Sequence, residues 1–452
     1  PGSAPLCSGS HWAVALRSSS ANSCRRVTRG SLAWIDRPDP QSGYVPAMSQ
    51  LPRVLSALVA DSPDVVEAYD TSTPVFAAFV DRVEHDVASG DIGNVAEVDA
   101  LVRRAAPAAI GLRVALKIVE SRAAIRSLSE SVVVTLLNPV YKETGRMQPR
   151  EQHPHGEDSI RYKARALDRI SRLNPAVETR LVVIDDGCPD DSGEMAARIL
   201  SGLDGWADRH EVLFLEAARR AGDPDVPAGL TSKDGDRRSV KGGAVLYGMR
   251  RSLRLDTDSR HVIVDNDADL SILPDQLGLL LRGVVDDGVG VVAGSRREQD
   301  SVALIGESRD HRGSLFIRIW QHLLPGLAER IVDANRAFKA FDAEVLARII
   351  DDVEIYTFPY QIEILQAAMA HGVPPCAQGI AYIDSEAAST QQGASITETY
   401  VDQIRQIIDI ALRYGTIPVD DPLIGFVAEV DDQTWLRFEL DPPRELLDIL
   451  GR

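Results

Sequence analysis

The stretch HVIVDNDADLS, residues 261–271, decides the fold, because a short apolar run in it ends abruptly in carboxylates. The branched residues Val262–Val264 favour a buried β-strand. Asp265, Asp267 and Asp269 then follow at every second position. Carboxylates gathered at a strand end repel one another and lose hydration, so a hard divalent cation would offset both costs. The alternative is a polar turn in which Asp269 or Ser271 caps a following helix.

Composition indicates an ordinary globular protein, with 44% hydrophobic and 26% charged residues. The 452 residues predict one large core with appendages, or two domains. A net charge of -18 argues against nucleic acid or an anionic membrane surface as the main partner. No run approaches the roughly 18 apolar residues of a membrane span. The four cysteines show no paired spacing and predict no disulfide framework, which favours a cytoplasmic location.

The first part of the chain divides into two segments. Residues 1–48 are rich in Ser, Arg and Gly, a composition that predicts disorder, an over-long start or a cloning remnant. Residues 49–129 show helical spacing of apolar residues, for example Phe76, Phe79 and Val83. We expect this region to be a helical cap or a surface for homo-oligomerisation.

From residue 130 onward the pattern is that of an α/β domain. The apolar run VVVTLLNPVY, residues 132–141, predicts a strand, an amphipathic helical segment follows, and TRLVVIDDG predicts a second strand ending in Asp185 and Asp186. Alternating strands and helices are typical of an open, mostly parallel sheet, whose ligands bind beyond the carboxyl ends of the strands. The sequence therefore predicts that the acidic ends of these strands share one edge.

A third motif lies between the second strand and the stretch at 261–271. Lys241 precedes Gly242 and Gly243 at the start of a predicted helix. Glycines at a helix start let backbone amides approach a phosphate, and the positive end of the helix favours the anion. A plain helix start explains the same three residues, so the motif by itself is weak.

The order of these motifs resembles the nucleotide-sugar half of family-2 glycosyltransferases with the GT-A fold, above all the polyprenyl-phosphate sugar transferases. The similar segments, over about residues 131–415, are VVIDDGCPDDS, KGGAVLYGM, VIVDNDADLS, VVAGSRR, VDANRAFKAFDAEVL and FPYQIEILQAAMAHG. The resemblance implies a Rossmann-like nucleotide-sugar domain over residues 130–415, followed by an extension at 416–452. We expect that extension to form a β-hairpin and a short helix.

The resemblance also implies roles for individual residues. Asp186 would lie by the nucleotide base, Asp185 by the ribose, and Lys241 with Gly242 by the base or phosphates. Asp267 and Asp269 match the DxD motif, so they would hold Mn²⁺ or Mg²⁺ against the diphosphate of a GDP- or UDP-sugar, with Asp267 also able to contact the ribose. Ser295 and Arg296 would face the diphosphate or the sugar.

Several positions depart from the family pattern. Ala337 stands where the family has glycine, Tyr360 stands where it has phenylalanine, and the distal acceptor-side motif is reduced to YIDSEAAST. No membrane-anchoring tail is recognisable, which disfavours a lipid acceptor. Glu363, Asp333 and Glu386 are the candidates for the base that activates an acceptor hydroxyl; each is also explained as a surface or helix-capping carboxylate.

Two functions from different enzyme classes fit these features. A metal-dependent glycosyltransferase would break the C1–O bond of a nucleotide sugar and pass the sugar to an acceptor. A flavin-free GDP-sugar pyranose–furanose mutase, an isomerase on the same scaffold, would break the same bond and let the sugar's own hydroxyl attack. A non-catalytic nucleotide-sugar binding protein is the third alternative, and the intact acidic motifs speak against it.

Overall fold

A seven-stranded sheet organises the chain in the computed structural model, which describes residues 51–90, 92–230, 239–385 and 399–451. The strand order is β3-β2-β1-β4-β7-β5-β8, and β6 and β9 form a separate parallel pair. β7 runs antiparallel to both β4 and β5, while the other pairings of the large sheet are parallel. The strands are β1 (Val132–Val140), β2 (Val177–Asp185), β3 (His210–Phe214), β4 (Arg260–Asp265), β5 (Val291–Ser295), β6 (Val302–Leu304), β7 (Lys339–Asp342), β8 (Cys376–Gly379) and β9 (Ala381–Ile383). The predicted α/β class with a mostly parallel sheet is confirmed.

The pairing register brings the acidic strand ends together. β1 is buried along its whole length and lies between β2 and β4, with Val140 opposite Asp185 and Leu137 opposite Asp265. Since all three strands run in the same direction, the acidic ends of β2 and β4 flank the end of β1. The predicted shared edge is therefore present.

Helices cover both faces of the sheet. Leu137 and Ile184 belong to one apolar cluster, whereas their chain neighbours Leu136 and Val183 belong to another, as alternation along a strand requires. The helices that follow the strands are α5 (Ser159–Leu173), α6 (Ser192–Ser201), α7 (Leu215–Ala221), α8 (Gly242–Ser252), α9 (Leu277–Leu281), α10 (Glu307–Leu323), α11 (Pro325–Ala328), α12 (Ala343–Ile349), α13 (Tyr360–Ala370) and α14 (Tyr400–Arg413).

The N-terminal region is helical, as its periodicity predicts. It contains α1 (Arg53–Ala60), α2 (Pro74–Ala88), α3 (Val95–Ala105) and α4 (Ile110–Ser127). The Thr73 side chain accepts a hydrogen bond from the Phe76 amide and so caps α2. These helices share an apolar cluster with Leu270 and Val302, which lie near the strand ends. The region is therefore packed onto the α/β core, and its role in oligomerisation stays a prediction.

The predicted C-terminal β-hairpin is wrong, because three helices occupy that segment: α15 (Pro422–Ala428), α16 (Asp432–Leu440) and α17 (Arg444–Ile449). Asp421 accepts a hydrogen bond from the Leu423 amide, and Asp431 accepts one from the Thr434 amide, so both carboxylates cap helix starts. Leu423 and Val427 are buried one helical turn apart. Capping and helical spacing thus account for helices in place of the predicted hairpin.

Two sequence predictions remain, one about membrane spans and one about residues 1–48. Among the described residues, no helix is both long and apolar enough to cross a membrane. Cys188 is a free thiol. Residues 1–48, with their predicted disorder, lie outside the described part of the chain.

Candidate active site

Asp185, the last residue of β2, is used by the chain itself. Its two carboxylate oxygens accept hydrogen bonds from the Cys188 amide at 2.8 Å and the Gly193 amide at 2.9 Å. Burial raises the pKa of Asp185, and these two amides act against that rise. A Cβ atom at Gly193 would lie 2.8 Å from the Asp185 Cβ, so glycine is needed for this close approach. The carboxylate thus shapes the turn before α6, which argues against the predicted ribose contact.

Asp186 joins the end of β2 to the start of α8. Its Oδ2 accepts a hydrogen bond from the Lys241 amide at 2.7 Å, whereas its buried Oδ1 has no partner in the described structure. Burial raises the pKa of Asp186 to about 6, although hydrogen bonds from the Ser239 side chain and the Lys241 amide favour the charged form. An acceptor oxygen that is buried and unpaired is costly, so it is a natural contact for a ligand N–H or O–H group.

The Lys-Gly-Gly motif is shaped by packing. Lys241 has a φ of +68°, which turns the chain into α8. A Cβ atom on Gly242 would lie 2.6 Å from the Tyr356 carbonyl carbon, and one on Gly243 would lie 2.7 Å from the Ser239 hydroxyl. Both glycines are therefore explained by contacts with the chain. The predicted approach of Gly242 to a phosphate gains no support from this geometry.

The Lys241 side chain reaches the end of β4. Its ammonium forms an ion pair with the Asp267 carboxylate. Burial would raise the pKa of Asp267, but the charge and hydrogen bond of Lys241 hold that pKa below its ordinary value. Asp265 lies deeper, where the Tyr360 hydroxyl donates to it at 2.7 Å and burial raises its pKa. Asp186, Lys241 and Asp267 thus form one connected path along the sheet edge.

Buried Lys163, which no sequence motif singles out, supports the turn that carries the DxD motif. Its ammonium donates to the Asn138 side chain at the end of β1 and to the Asp267 carbonyl. The side chain has no solvent exposure, and burial lowers the pKa of Lys163 to about 8 although Asp269 and Asp267 act in the opposite direction. In the sequence this lysine is one cation among several on an amphipathic helix, so no local signal marks it.

Glu157 is the second missed residue. Its carboxylate accepts hydrogen bonds from the Leu270 amide at 2.9 Å and the Ser385 hydroxyl at 2.5 Å. Burial, followed by the nearby charge of Asp269, raises the pKa of Glu157 to about 7. Glu157 therefore ties the polar loop before α5 to the residue that follows Asp269. It lies in a loop without a motif, and only the fold brings it to the site.

The donor set suits a hard divalent cation. Within the described residues Asp269 accepts a single hydrogen bond, from the Ser271 amide at 3.1 Å, and its charge acts on both Glu157 and Glu143. No group of three or more His, Cys, Asp or Glu side chains arranged to hold a metal occurs among the described residues. A divalent ion would therefore take carboxylate oxygens from Asp267 and Asp269 and complete its shell with oxygens from substrate or water.

Arg296 and Asp333 form a buried ion pair. Arg296 Nε lies 2.7 Å from Asp333 Oδ2, and Arg296 Nη2 lies 2.9 Å from Asp333 Oδ1. Although burial acts to raise the pKa of Asp333, Arg296 holds it well below its usual range. This pairing argues against Asp333 as a base and against Arg296 as a diphosphate ligand. Ser295 is fully buried, and its hydroxyl accepts from the Arg297 amide at 3.1 Å, so it shapes the turn after β5.

Glu363 also has a structural role. It is fully buried and accepts hydrogen bonds from the Glu354 and Ile355 amides, while Arg413 Nη1 lies 2.6 Å from its carboxylate. Burial raises the pKa of Glu363, and the Arg413 charge opposes that rise. A carboxylate enclosed in this way is poorly placed to reach an acceptor, which argues against its predicted role as base. Glu386, the remaining candidate, lies outside the described residues.

Comparison with known proteins gives distant structural likeness only. No protein family model matches the sequence, and no curated protein matches it significantly. Glucosyl-3-phosphoglycerate synthase from Mycobacterium tuberculosis in complex with UDP is similar at 18% identity and a TM-score of 0.41, over 67% of this chain and 86% of that chain. The same enzyme in complex with Mn²⁺, UDP and glucosyl-3-phosphoglycerate is similar at 19% identity and a TM-score of 0.42, over 67% of this chain and 86% of that chain. A further mycobacterial protein is similar at 17% identity and a TM-score of 0.42, over 67% of this chain and 80% of that chain. The site assignment therefore rests on this chain's own contacts.

Proposed function

We propose that this chain is a divalent-metal-dependent glycosyltransferase of the GT-A type that uses a nucleotide-diphosphate sugar. One observation carries the proposal: Asp186, Lys241 and Asp267 are joined across the carboxyl edge of a parallel sheet by a backbone hydrogen bond and an ion pair. Ligands of open α/β sheets bind at such an edge. Acids and a lysine placed there in series suit a ligand with a hydrogen-bonding base at one end and a diphosphate at the other.

Each residue has a distinct task in this proposal. The unpaired Oδ1 of Asp186 accepts a hydrogen bond from the base or from a ribose hydroxyl. Lys241 holds Asp267 in the ionised form and exchanges part of that ion pair for a phosphate oxygen when substrate binds. Lys163 and Glu157 fix the turn between them, through the Asp267 carbonyl and the Leu270 amide.

A bound Mn²⁺ or Mg²⁺ would supply charge stabilisation for the nucleotide diphosphate as the sugar C1–O bond breaks. Asp267 and Asp269 are the side chains that would hold it. Glu386 is the remaining candidate for the base that receives the proton of the acceptor hydroxyl. A cytoplasmic enzyme and a homo-oligomer built through residues 49–129 complete the proposal.

The test is to incubate the purified chain with Mn²⁺ and a panel of GDP-, UDP- and dTDP-sugars, then to follow the nucleotide sugar by chromatography and NMR. We expect slow release of free nucleoside diphosphate from one sugar nucleotide, as water replaces the acceptor. Asp269→Asn should abolish this release, and Asp204→Asn, at an exposed carboxylate, is the matched control. A new isomer of unchanged mass would instead establish the pyranose–furanose mutase. No binding and no turnover with any sugar nucleotide would overturn the proposal.

A further inference from the structure

Two arginines lie near the ring of Tyr382, and in the described part of the chain only Arg296 has a charge partner. The Arg296 guanidinium lies 4.9 Å from the ring centroid and the Arg336 guanidinium lies 5.8 Å from it. Arg296 is paired with Asp333 through two side-chain hydrogen bonds. Arg336 makes no ion pair within the described residues, and its Nε is buried without a hydrogen-bond partner.

A buried lysine side chain holds the backbone of Arg336 in place. Its carbonyl accepts a hydrogen bond from the ammonium of Lys339, a side chain that is 1% exposed. The Tyr382 ring lies within cation–π distance of the guanidinium. A buried guanidinium N–H without an acceptor costs stability, so the fixed position of Arg336 requires a reason beyond folding.

Arg336 lies beside the candidate active site. The Phe338 amide, two residues later, donates to the Asp265 carbonyl at 2.7 Å, which places Arg336 near the end of β4, where Asp267 follows; Asp333 lies three positions before Arg336 in the chain. Neither carboxylate is available as its partner, because Asp267 pairs with Lys241 and Asp333 pairs with Arg296. Within the described residues Arg336 is thus a cation without a paired carboxylate, in a chain whose formal net charge is -18.

We propose that the Arg336 guanidinium binds phosphate oxygens of the substrate's diphosphate, with Tyr382 positioning its plane. This inference rests on the proposed function, and it assigns the role predicted for Arg296 to a residue that no sequence motif marks. A planar guanidinium offers two parallel N–H donors, which match the spacing of phosphate oxygens better than an ammonium does. A diphosphate oxygen would also accept a hydrogen bond from the unpaired Arg336 Nε–H, and its negative charge would offset the guanidinium charge.

The experiment is isothermal titration calorimetry in the presence of Mn²⁺, with three ligands of one base: the nucleoside diphosphate, the monophosphate and the nucleoside. The variants are Arg336→Gln, Arg336→Lys and the control Arg348→Gln, which removes the same charge from an exposed position on α12. We expect Arg336→Gln to weaken diphosphate binding about 10- to 100-fold, in line with loss of a charge-assisted hydrogen bond. Nucleoside binding should stay unchanged, and Arg336→Lys should recover part of the loss.

The outcomes separate this inference from the proposed function. If the unaltered chain binds none of the three ligands, the proposed function itself fails. If the chain binds the diphosphate and Arg336→Gln binds it equally well, the proposed role of Arg336 is refuted while the proposed function stands. If Arg336→Gln affects only turnover with an added acceptor, Arg336 contacts an anionic group of the acceptor, and the diphosphate role is likewise refuted. Equal weakening of diphosphate and nucleoside, with a lower melting temperature, would show that Arg336 is structural.

Discussion

Replacing Asp333 by asparagine decides between a catalytic and a structural role for a residue that the sequence offers as a base. The substitution keeps the shape of the side chain and removes its charge. It also turns one acceptor oxygen into an NH₂ group that faces the donors of Arg296. Because Arg296 and Asp333 side chains are 7% and 3% exposed, water cannot replace the lost partner. Arg296 would remain as an uncompensated buried charge.

The expected loss is large. Removing one member of a buried, hydrogen-bonded ion pair costs about 3–5 kcal/mol. The total stability of a folded domain is about 5–15 kcal/mol, so Asp333→Asn should bring the chain close to unfolding at moderate denaturant concentration. The double variant Arg296→Met with Asp333→Leu removes both charges and should recover most of the loss, since apolar residues of similar volume replace buried pairs at little cost.

Urea unfolding followed by circular dichroism measures these differences, with Asp204→Asn as the exposed control. The pH dependence gives a second readout. The pKa of Asp333 is lowered in the folded state, so its contribution is present at neutral pH and is lost as pH falls below the ordinary aspartate range. Asp333→Asn should lack this acid-side loss. Unchanged stability together with abolished turnover would refute the structural role and restore Asp333 as a catalytic candidate.

Three further predictions concern the sheet edge. Asp269→Asn should abolish Mn²⁺-dependent binding of GDP or UDP in calorimetry, and unchanged affinity would contradict the metal assignment. Asp186→Ala should weaken nucleotide binding. Because burial raises the pKa of Asp186 to about 6, its ionised form costs stability at pH 7, so the ligand-free variant should melt at the same temperature as the unaltered chain or higher. A lower melting temperature would show that Asp186 is structural. Burial raises the pKa of Glu157 to about 7, so its ionisation should reduce stability as pH rises from about 4.5 to about 7; Glu157→Gln should flatten that part of the stability profile, and an unaltered profile would count against it.

Local patterns predict much of this fold. The apolar runs ending in Asp185 and Asp265 identify β2 and β4, because burial on both faces of a parallel sheet selects continuous branched residues. The helical spacing of Phe76 and Phe79 likewise identifies α2. The C-terminal segment is the exception, since helices whose starts are capped by Asp421 and Asp431 stand in place of the predicted hairpin.

The site is less predictable than the fold, for a physical reason. A motif shows which residues end a strand, but the partner of each side chain is set by segments far away in sequence. Asp185 follows the motif and is nonetheless consumed by the turn, while Glu363 is enclosed by Arg413, 50 positions later in the chain. Lys163 and Glu157 carry no motif and yet hold the DxD turn from two sides.

The distribution of poorly compensated charge indicates where this molecule is built for a ligand. Burial raises the pKa of Asp186 to about 6 and lowers the pKa of Lys163 to about 8, so the charged form of each group costs stability. Both groups contact residues at the same edge of the sheet. A core made for stability alone would place apolar residues there, as it does on both faces of the same strands. Costly polar groups that the surrounding packing holds in place cluster at functional sites, because a ligand with complementary charge repays their cost. The unpaired Oδ1 of Asp186 and the surplus guanidinium of Arg336 are the two contacts that such a ligand would complete.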